Sequence, residues 1–243
     1  MTDANMKRSA GRRAKGVGTW IVGPIRVFWS KFKAEKFGLG LKEWAGDGLE
    51  SLEYLNQFRY HQRNYYIRDK IASFSPQSVL EFGSSSGNIL FLLVQTLPDA
   101  HLVGIDINRA AVDHGNAWLH NERISTVSLR HGDAGSLRTI PDKSYDVVFS
   151  ATSLIYLRPE AIMDAMRDMI RISRKAVILL EMHGETVRKY RGEFHPPGNW
   201  KRNYRRIFRE LGISDDTLTI EPVSEELWSP SGGGAAYIEA RLT

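Results

Sequence analysis

The 243-residue sequence contains no cysteine and no apolar run long enough to cross a membrane. Without cysteine it cannot form a disulfide, hold a metal through thiolates or use a cysteine nucleophile. The most apolar stretch, residues 16–29, is interrupted by Pro24 and Arg26 and falls short of the ~20 residues of a spanning helix. It also lacks the small-residue cleavage site of a signal peptide. We therefore expect a cytoplasmic protein whose fold depends on the packing of apolar side chains.

Positive charge is in modest excess and is unevenly distributed. The chain has 33 Lys and Arg against 28 Asp and Glu, a net charge of +5. Much of the excess lies in residues 1–15 and 188–209. We interpret these as a disordered tail and a solvated helix surface, with a nucleic-acid-binding surface as the alternative.

The N-terminal third precedes the first clear strand. Over residues 17–36, aromatic and aliphatic side chains are interleaved with Arg and Lys. We interpret this stretch as part of a helical lid formed by residues 16–74, with peripheral membrane contact through residues 17–36 as the alternative. The predicted organisation is a basic tail at 1–15, the lid segment, and one domain at 75–243.

Residues 78–108 predict a strand, a glycine turn, a helix and a second strand. The apolar run Ser78–Phe82 is too short for a helix and stops at Gly83, where small residues continue to Gly87 before an apolar helical pattern begins. The second strand, Leu102–Ile105, is followed by Asp106, a carboxylate placed where it can accept hydrogen bonds from a ribose. This stretch has the outline of a nucleotide-binding unit.

Strand and helix patterns continue to alternate along the chain. Further strands are predicted at Thr126–Arg130, Ser144–Ser150, Lys175–Glu181, Thr217–Val223 and Ala235–Leu242. Helices are predicted at Arg109–Asn121 after an Asn108 cap, at Glu160–Ile172, at Tyr204–Leu211 before Gly212, and within Leu49–Phe74. The predicted fold is α/β: a Rossmann-like, doubly wound, seven-stranded sheet, mostly parallel, with one antiparallel strand contributed by a C-terminal hairpin.

The glycine turn does not match two common phosphate-binding motifs. In the dinucleotide motif G-x-G-x-x-G the middle glycine lets the backbone approach a pyrophosphate, and here Ser85 stands at that position. No Lys-Ser or Lys-Thr pair follows the turn, which excludes a P-loop. The ligand is therefore expected to carry no pyrophosphate at this turn.

Four segments in order resemble the motifs of class I S-adenosylmethionine-dependent methyltransferases: VLEFGSSSGN, VGIDIN, HGDAGSL and YDVVFSATSLIYL, which together cover about Val79 to Leu157. The resemblance implies an enzyme that uses S-adenosylmethionine and releases S-adenosylhomocysteine. It implies cofactor binding by Glu81, Gly83, Ser84, Gly87, Asp106, Ile107, Asp133, Ala134 and Ser150.

The resemblance also implies a role for several of these residues. Gly83 would leave room for the methionine part of the cofactor, Asp106 would accept from the ribose hydroxyls and Asp133 from the adenine amino group. Glu81 would order the turn or meet the ligand's ammonium group. A turn glycine, a strand-end cap and an ordinary loop carboxylate are the respective alternatives for Gly83, Asp106 and Asp133.

The methyl acceptor is expected beyond the carboxyl ends of the strands, at residues 151–156, 182–185 and 229–234. His183 and His195 lie on or near this rim and are candidate general bases, although a lone histidine more often has a structural role. Residues 150–153, Ser-Ala-Thr-Ser, differ from the Asn/Asp-Pro-Pro-Tyr tetrapeptide common in enzymes that methylate DNA bases or glutamine.

We therefore expect a small-molecule, sugar or lipid-linked glycan acceptor, methylated on oxygen or nitrogen. This reasoning disfavours a nucleic-acid partner, which is kept as the alternative, together with a related transferase that uses the decarboxylated cofactor. No metal site is predicted, because no histidines and carboxylates have ligand spacing on one face. The oligomeric state is not predicted.

Overall fold

The computed structural model describes residues 59–186, 188–190, 199–228, 230 and 233–242. The predicted basic tail at 1–15, residues 16–58 of the predicted lid segment, and His195 lie outside the described residues. The described residues therefore comprise most of the predicted domain and the helix that leads into it.

A seven-stranded sheet forms the centre of the domain, and its strands are β1 (Ser78–Phe82), β2 (His101–Asp106), β3 (Val127–His131), β4 (Tyr145–Ala151), β5 (Ser173–Met182), β8 (Leu218–Pro222) and β9 (Ala235–Arg241). They lie in the order β3-β2-β1-β4-β5-β9-β8. Strands β1 to β5 run parallel, β9 pairs antiparallel with β5, and β8 pairs antiparallel with β9. The carboxyl ends of β1, β2, β4 and β5 therefore meet at one edge of the sheet.

Helices cover both faces of this sheet. They are α1 (Gln62–Ala72), α2 (Asn88–Val94), α3 (Arg109–Asn121), α4 (Pro159–Ile172) and α5 (Tyr204–Glu210). Helices α1, α2 and α3 pack on one face, and α4 and α5 pack on the other. All five residues of β1 are buried, as expected for a central parallel strand covered on both sides.

The predicted α/β fold is confirmed, including the single antiparallel strand in the sheet. The side chain of Asn108 caps α3 by accepting from the Ala111 amide at 3.0 Å, and Gly212, which follows the last residue of α5 by two positions, has a left-handed φ of 83°. These local signals were sufficient to predict the ends of both helices within one residue.

One small element was not predicted. Strand β6 (Arg188–Tyr190) pairs antiparallel with β7 (Asn199–Lys201), and this two-stranded sheet is separate from the main one. Each strand has only three residues, which is too short for a periodic pattern to be recognised, so the sequence carries little signal for this sheet. In the described part of the chain, no helix is both long enough and apolar enough to cross a membrane.

Candidate active site

The glycine turn, residues 83–87, connects β1 to α2 at the carboxyl edge of the sheet. Gly83, Ser85 and Gly87 have positive φ angles of 81°, 48° and 80°. The amides of Gly83 and Ser84 both donate to the carbonyl of Ile105 in β2, and the Gly87 amide donates to the Ser84 carbonyl. The turn is thus fastened to the neighbouring strand. Ser85 adopts a conformation that favours glycine, at the position where the dinucleotide motif has one.

Gly83 packs directly against the segment that follows β4. A Cβ at position 83 would overlap the Cβ and Oγ atoms of Ser153. The Ser153 hydroxyl in turn donates to the Gly83 carbonyl at 3.0 Å. The protein itself therefore requires glycine at this position, apart from any requirement that a ligand adds.

Two carboxyl groups lie beside the turn, those of the buried Glu81 and the half-buried Asp106. One oxygen of Glu81, Oε2, is buried and has no hydrogen-bond partner among the described residues. Burial raises the pKa of the Glu81 carboxyl well above its ordinary value, and the nearby Asp106 raises it further. Burial also raises the pKa of Asp106, against the lowering effect of two backbone hydrogen bonds. A cationic group placed here would relieve the cost of both charges.

Asp106 also holds the backbone around it. Its Oδ2 accepts from the Ser85 amide at 2.7 Å, and its Oδ1 accepts from the Asn108 amide at 2.8 Å. Each carboxylate oxygen retains a second lone pair, so these bonds are compatible with acceptance from two ribose hydroxyls. Asp106 is thus a strand-end cap by its contacts, and its predicted ribose contact remains a proposal.

Asp133 follows the adjacent strand, β3, and is exposed. Its Oδ1 caps the short 3-10 helix Ala134–Thr139 by accepting from the Gly135 amide at 2.9 Å. Asp106 pairs with His131 across β2 and β3, so Asp133 emerges two residues beyond this pair. Ile107 and Ala134 are half-buried at the same edge. The structure thus brings these four predicted residues to the ends of adjacent strands.

Two other predicted cofactor residues point into the protein. Ser84 is buried, and its side chain occupies the space above Gly104, where a Cβ on that glycine would meet it. Ser150 is fully buried and donates to Oε1 of Glu181 at 3.1 Å. Both side chains therefore have packing or structural contacts, which the sequence pattern alone did not reveal.

Glu181, near the end of β5, organises the residues that follow β4, which we call the β4 loop (residues 152–157). Its fully buried carboxylate accepts from the backbone amides of Ser153 and Leu154, both at 3.0 Å, and of Ile155 at 3.2 Å. Burial raises the pKa of Glu181 to about 7, although the amides of Leu154 and Ser153, the Ser150 hydroxyl and the nearby Arg202 act in the opposite direction.

Arg202 contacts the same loop with the opposite charge. Its guanidinium is almost completely buried and donates to the carbonyls of Leu154, at 2.8 Å, and of Leu157. The fully buried Tyr204 lies beside it. The backbone of the β4 loop is therefore bound by a carboxylate at its amide groups and by a guanidinium at its carbonyl groups.

His183 does not lie with the predicted cofactor residues. It lines an open cavity of about 290 Å³ with Glu185 and Arg205 above apolar residues of β8 and β9, and none of the predicted cofactor residues lines it. Its Nδ1 accepts from the Tyr204 amide at 3.3 Å, which places the proton of the neutral ring on Nε2. Burial, with Arg205 and Lys201, lowers the pKa of His183, although Glu185 opposes this. These contacts favour a structural role over a general base.

Glu181, Arg202 and Ser153 were missed as site residues by the sequence analysis. One signal was available for Glu181, because it is a single carboxylate within the apolar run of β5. A charged residue in a strand that is buried on both faces needs a specific partner. Arg202 has no comparable signal, since it lies in a stretch rich in basic residues.

Comparison with known proteins supports the architecture. Residues 79–176 match the model of a methyltransferase domain family. A search of curated proteins found no match. Among solved structures, the fold is similar to that of a SAM-dependent methyltransferase from Aquifex aeolicus, with a TM-score of 0.51 and 15% identity over 72% of this chain and 89% of that chain.

Two further structures share the fold. The N-terminal domain of EvdMO1, solved in the presence of SAH and D-fucose, has a TM-score of 0.57 and 14% identity over 76% of this chain and 84% of that chain. An O-methyltransferase family protein from Burkholderia thailandensis has a TM-score of 0.58 and 12% identity over 78% of this chain and 58% of that chain.

The domain match coincides with the four ordered motifs, and the sheet has the predicted strand directions. The expected family, enzyme class and cofactor are thereby confirmed. Residues 79–176 are thus a methyltransferase domain, in a fold shared with S-adenosylmethionine-dependent methyltransferases, and S-adenosylmethionine is the cofactor.

Proposed function

We propose that the protein transfers the methyl group of S-adenosylmethionine to a hydroxyl or amino group of a small-molecule, sugar or lipid-linked glycan acceptor. The observation that carries the cofactor part is the pair of carboxyls beside the glycine turn, the buried Glu81 and the half-buried Asp106. The acceptor part is supported by the shared fold with the EvdMO1 domain and the O-methyltransferase family protein.

The residues at the turn fit this cofactor better than a dinucleotide. Glu81 has a buried oxygen without a partner among the described residues, and its charge is destabilised by burial and by Asp106. The ammonium group of S-adenosylmethionine would relieve this cost, whereas a pyrophosphate would add repulsion. In this arrangement Glu81 faces the ammonium group, Asp106 accepts from the ribose, and Asp133 accepts from the adenine amino group.

When bound, S-adenosylmethionine supplies an electrophilic methyl group on a positively charged sulfur. Glu81, Asp106 and Asp133 would hold it, and it would supply its methyl carbon to an acceptor lone pair, with the electron pair of the broken carbon–sulfur bond leaving on sulfur. The acceptor's proton passes to a base or to water. The contribution of this chain is to hold the cofactor turn and the β4 loop in fixed positions, so that the reacting atoms are aligned.

The described part of the basic region gives little support to a nucleic-acid acceptor. Three arginines on the surface of α5 pair with carboxylates: Arg205 and Arg209 with Asp215, and Arg206 with Glu210. Arg202, from the same basic stretch, is buried. Nucleic-acid binding depends on cationic side chains that are available to contact phosphates. The three arginines on α5 are already paired with carboxylates of this protein. A small or glycan acceptor is therefore favoured.

Calorimetry with S-adenosylhomocysteine tests the cofactor assignment. We expect the intact protein to bind it, and Asp106→Ala to weaken binding by about 2 kcal/mol or more, roughly 30-fold, because two charge-assisted hydrogen bonds are lost. Asp113→Ala is a matched control, since Asp113 is exposed on α3. The control should bind like the unmodified protein. No binding by the intact protein would contradict the proposal.

The acceptor class is tested by measuring S-adenosylhomocysteine release with S-adenosylmethionine and a panel of acceptors. The panel comprises monosaccharides, sugar nucleotides, lipid-linked glycans, small phenols and amines, and RNA. Turnover with a member of the first groups would support the proposal. Turnover with RNA alone would overturn the acceptor assignment and leave the cofactor assignment in place.

Glu81→Gln should separate stability from cofactor binding. Burial raises the pKa of Glu81 in the folded protein above its value in the unfolded chain. The stability that depends on a neutral Glu81 is therefore fully present below the unfolded-state pKa and is lost as pH rises through the folded-state pKa. Glutamine does not titrate. At pH 8 the variant should therefore be more stable than the native protein by roughly 1 kcal/mol, and so unfold at a higher temperature. The difference should shrink at pH 4.

The same variant should bind S-adenosylhomocysteine more weakly. The ligand's ammonium group stabilises the ionised form of Glu81, so binding is expected to release protons in the range between the free and bound pKa values. Calorimetry at one pH in two buffers with different ionisation enthalpies measures this release. Glu81→Gln should reduce it, and an unchanged release in the variant would exclude Glu81 as its source.

A further inference from the structure

We propose that Glu181 and Arg202 are positioning residues for the cofactor: together they fix the β4 loop, and through Ser153 the loop fixes the glycine turn at Gly83. This inference rests on the proposed function, because the turn is taken as the cofactor-binding element. The proposal adds a physical connection from Arg202, which follows β7, through the β4 loop to the glycine turn.

The first step is the way in which both ends of one short helical turn are bound. The 3-10 helix Leu154–Tyr156 receives Glu181 at the amides that begin it. Arg202 donates to the carbonyls of Leu154 and Leu157. The carboxylate thus contacts only amide groups of this turn and the guanidinium only carbonyl groups, so each charge meets backbone dipoles of the complementary sign.

The second step is that the loop conformation is imposed by its surroundings. Thr152, the first residue after β4, has a φ of 59°, in the left-handed region that is unfavourable for a β-branched side chain. Its amide donates to the Leu180 carbonyl at 2.9 Å. Such a conformation persists only where neighbouring contacts determine it, and Glu181 supplies them at the next three residues.

The third step links the loop to the cofactor turn. Ser153 is bound to Glu181 through its amide and to the Gly83 carbonyl through its hydroxyl. Gly83 has no side chain, and the space that a Cβ would need is filled by Ser153. A displacement of Ser153 would therefore change the position of the turn beside Glu81 and Asp106.

The fourth step extends the connection to the far side of the rim. Arg202 directly follows β7, its amide donates to the Met182 carbonyl at 3.1 Å, and its carbonyl accepts from the Gly184 amide at 3.0 Å. One residue thus bonds to the end of β5 through its backbone and to the β4 loop through its side chain. A ligand that moved β7 would change the contacts of the β4 loop.

The proposal is tested with Glu181→Gln, and Asp146→Asn is the matched control. Asp146 is also a buried carboxylate; it accepts from the Gln77 amide at 2.7 Å and pairs with Arg174 at 2.9 Å, but it lies at the opposite end of β4. Both changes remove a buried carboxylate, one from β4 and one from the neighbouring strand β5. Only the Glu181 change lies on the path to Gly83.

Two measurements are compared: the affinity for S-adenosylhomocysteine and the amide resonance of Gly83 in nitrogen–proton correlation spectra. We expect Glu181→Gln to weaken binding by about fivefold or more and to shift the Gly83 resonance, while Asp146→Asn leaves affinity within about twofold and the resonance unmoved. Equal effects of both variants would reduce Glu181 to a stabilising residue and overturn the proposal.

Ser153→Ala provides the second variant, since it removes one hydroxyl and keeps the backbone. It should weaken binding by a similar factor, and the double variant with Glu181→Gln should weaken binding by less than the product of the single effects. Fully independent effects would contradict a path through Ser153. The Gly83 resonance needs no ligand, so it tests the connection even if the protein fails to bind S-adenosylhomocysteine.

Discussion

Replacing Gly83 by alanine is expected to lower the free energy of unfolding by roughly 3 kcal/mol or more. Two costs add: a left-handed φ of 81° costs a side-chain-bearing residue about 1–2 kcal/mol, and the new methyl group overlaps Ser153. Ser153 cannot move freely, because Glu181 and the Gly83 carbonyl hold it, so overpacking adds about 1–3 kcal/mol. Urea unfolding followed by circular dichroism measures the total.

Gly212→Ala isolates the conformational part of this cost. Gly212 has nearly the same φ, 83°, but a Cβ there would meet no atom within 4 Å. We expect a loss of about 1–2 kcal/mol for this control. The double variant Gly83→Ala with Ser153→Gly should recover part of the difference, because it removes the overlapping atoms. Equal losses for Gly83→Ala and Gly212→Ala would show that the contact with Ser153 is unimportant.

Replacing Arg202 by methionine is expected to cost about 3 kcal/mol of stability or more, because two buried carbonyls lose a charged donor and each such loss costs about 1–3 kcal/mol. The guanidinium is almost completely buried, and its loss leaves the carbonyls of Leu154 and Leu157 without this donor. It also leaves the Glu181 carboxylate without the positive charge that opposes its desolvation. Urea unfolding again provides the measurement.

Arg206→Met is the control for the loss of an arginine in the same region. Arg206 is exposed on α5 and pairs with Glu210 one helical turn away at 2.7 Å, and exposed pairs of this kind contribute little. We expect its unfolding curve to overlay that of the unmodified protein. Arg202→Lys should fall between the two, since it keeps the charge but loses the planar geometry that reaches two carbonyls. A small effect of Arg202→Met would contradict the assigned contacts.

The parts of the fold that the sequence predicted are those set by local chemistry. Asn108 and Gly212 mark helix ends because capping depends on the neighbouring few residues, and the strand order follows from alternating strands and helices. The Glu181 site depends instead on contacts across 28 residues to Ser153, and Arg202 reaches 48 residues to Leu154. Periodicity and spacing contain no information about such contacts.

Orientation of the motif residues was also beyond the sequence. Ser84 and Ser150 occupy motif positions, but strand pairing and the tight turn direct both side chains inward, to Gly104 and Glu181. Asp106 and Glu81, in contrast, lie together because β1 and β2 are adjacent and parallel, with Glu81 paired to Gly104. The placement of the candidate cofactor residues was therefore predictable where it depends on strand ends, and the direction of their side chains was not predictable where it depends on packing.

The position of β9 has a consequence for synthesis on the ribosome. This strand lies between β5 and β8, although β8 precedes it in the chain. Until residues 235–241 emerge, β5 has an open edge and β8 has no partner in the sheet. Unpaired edges can associate with other chains, so the nascent domain is most exposed to aggregation during the interval between translation of β5 and translation of β9. Ribosomes stalled within this interval should present a chaperone-dependent intermediate.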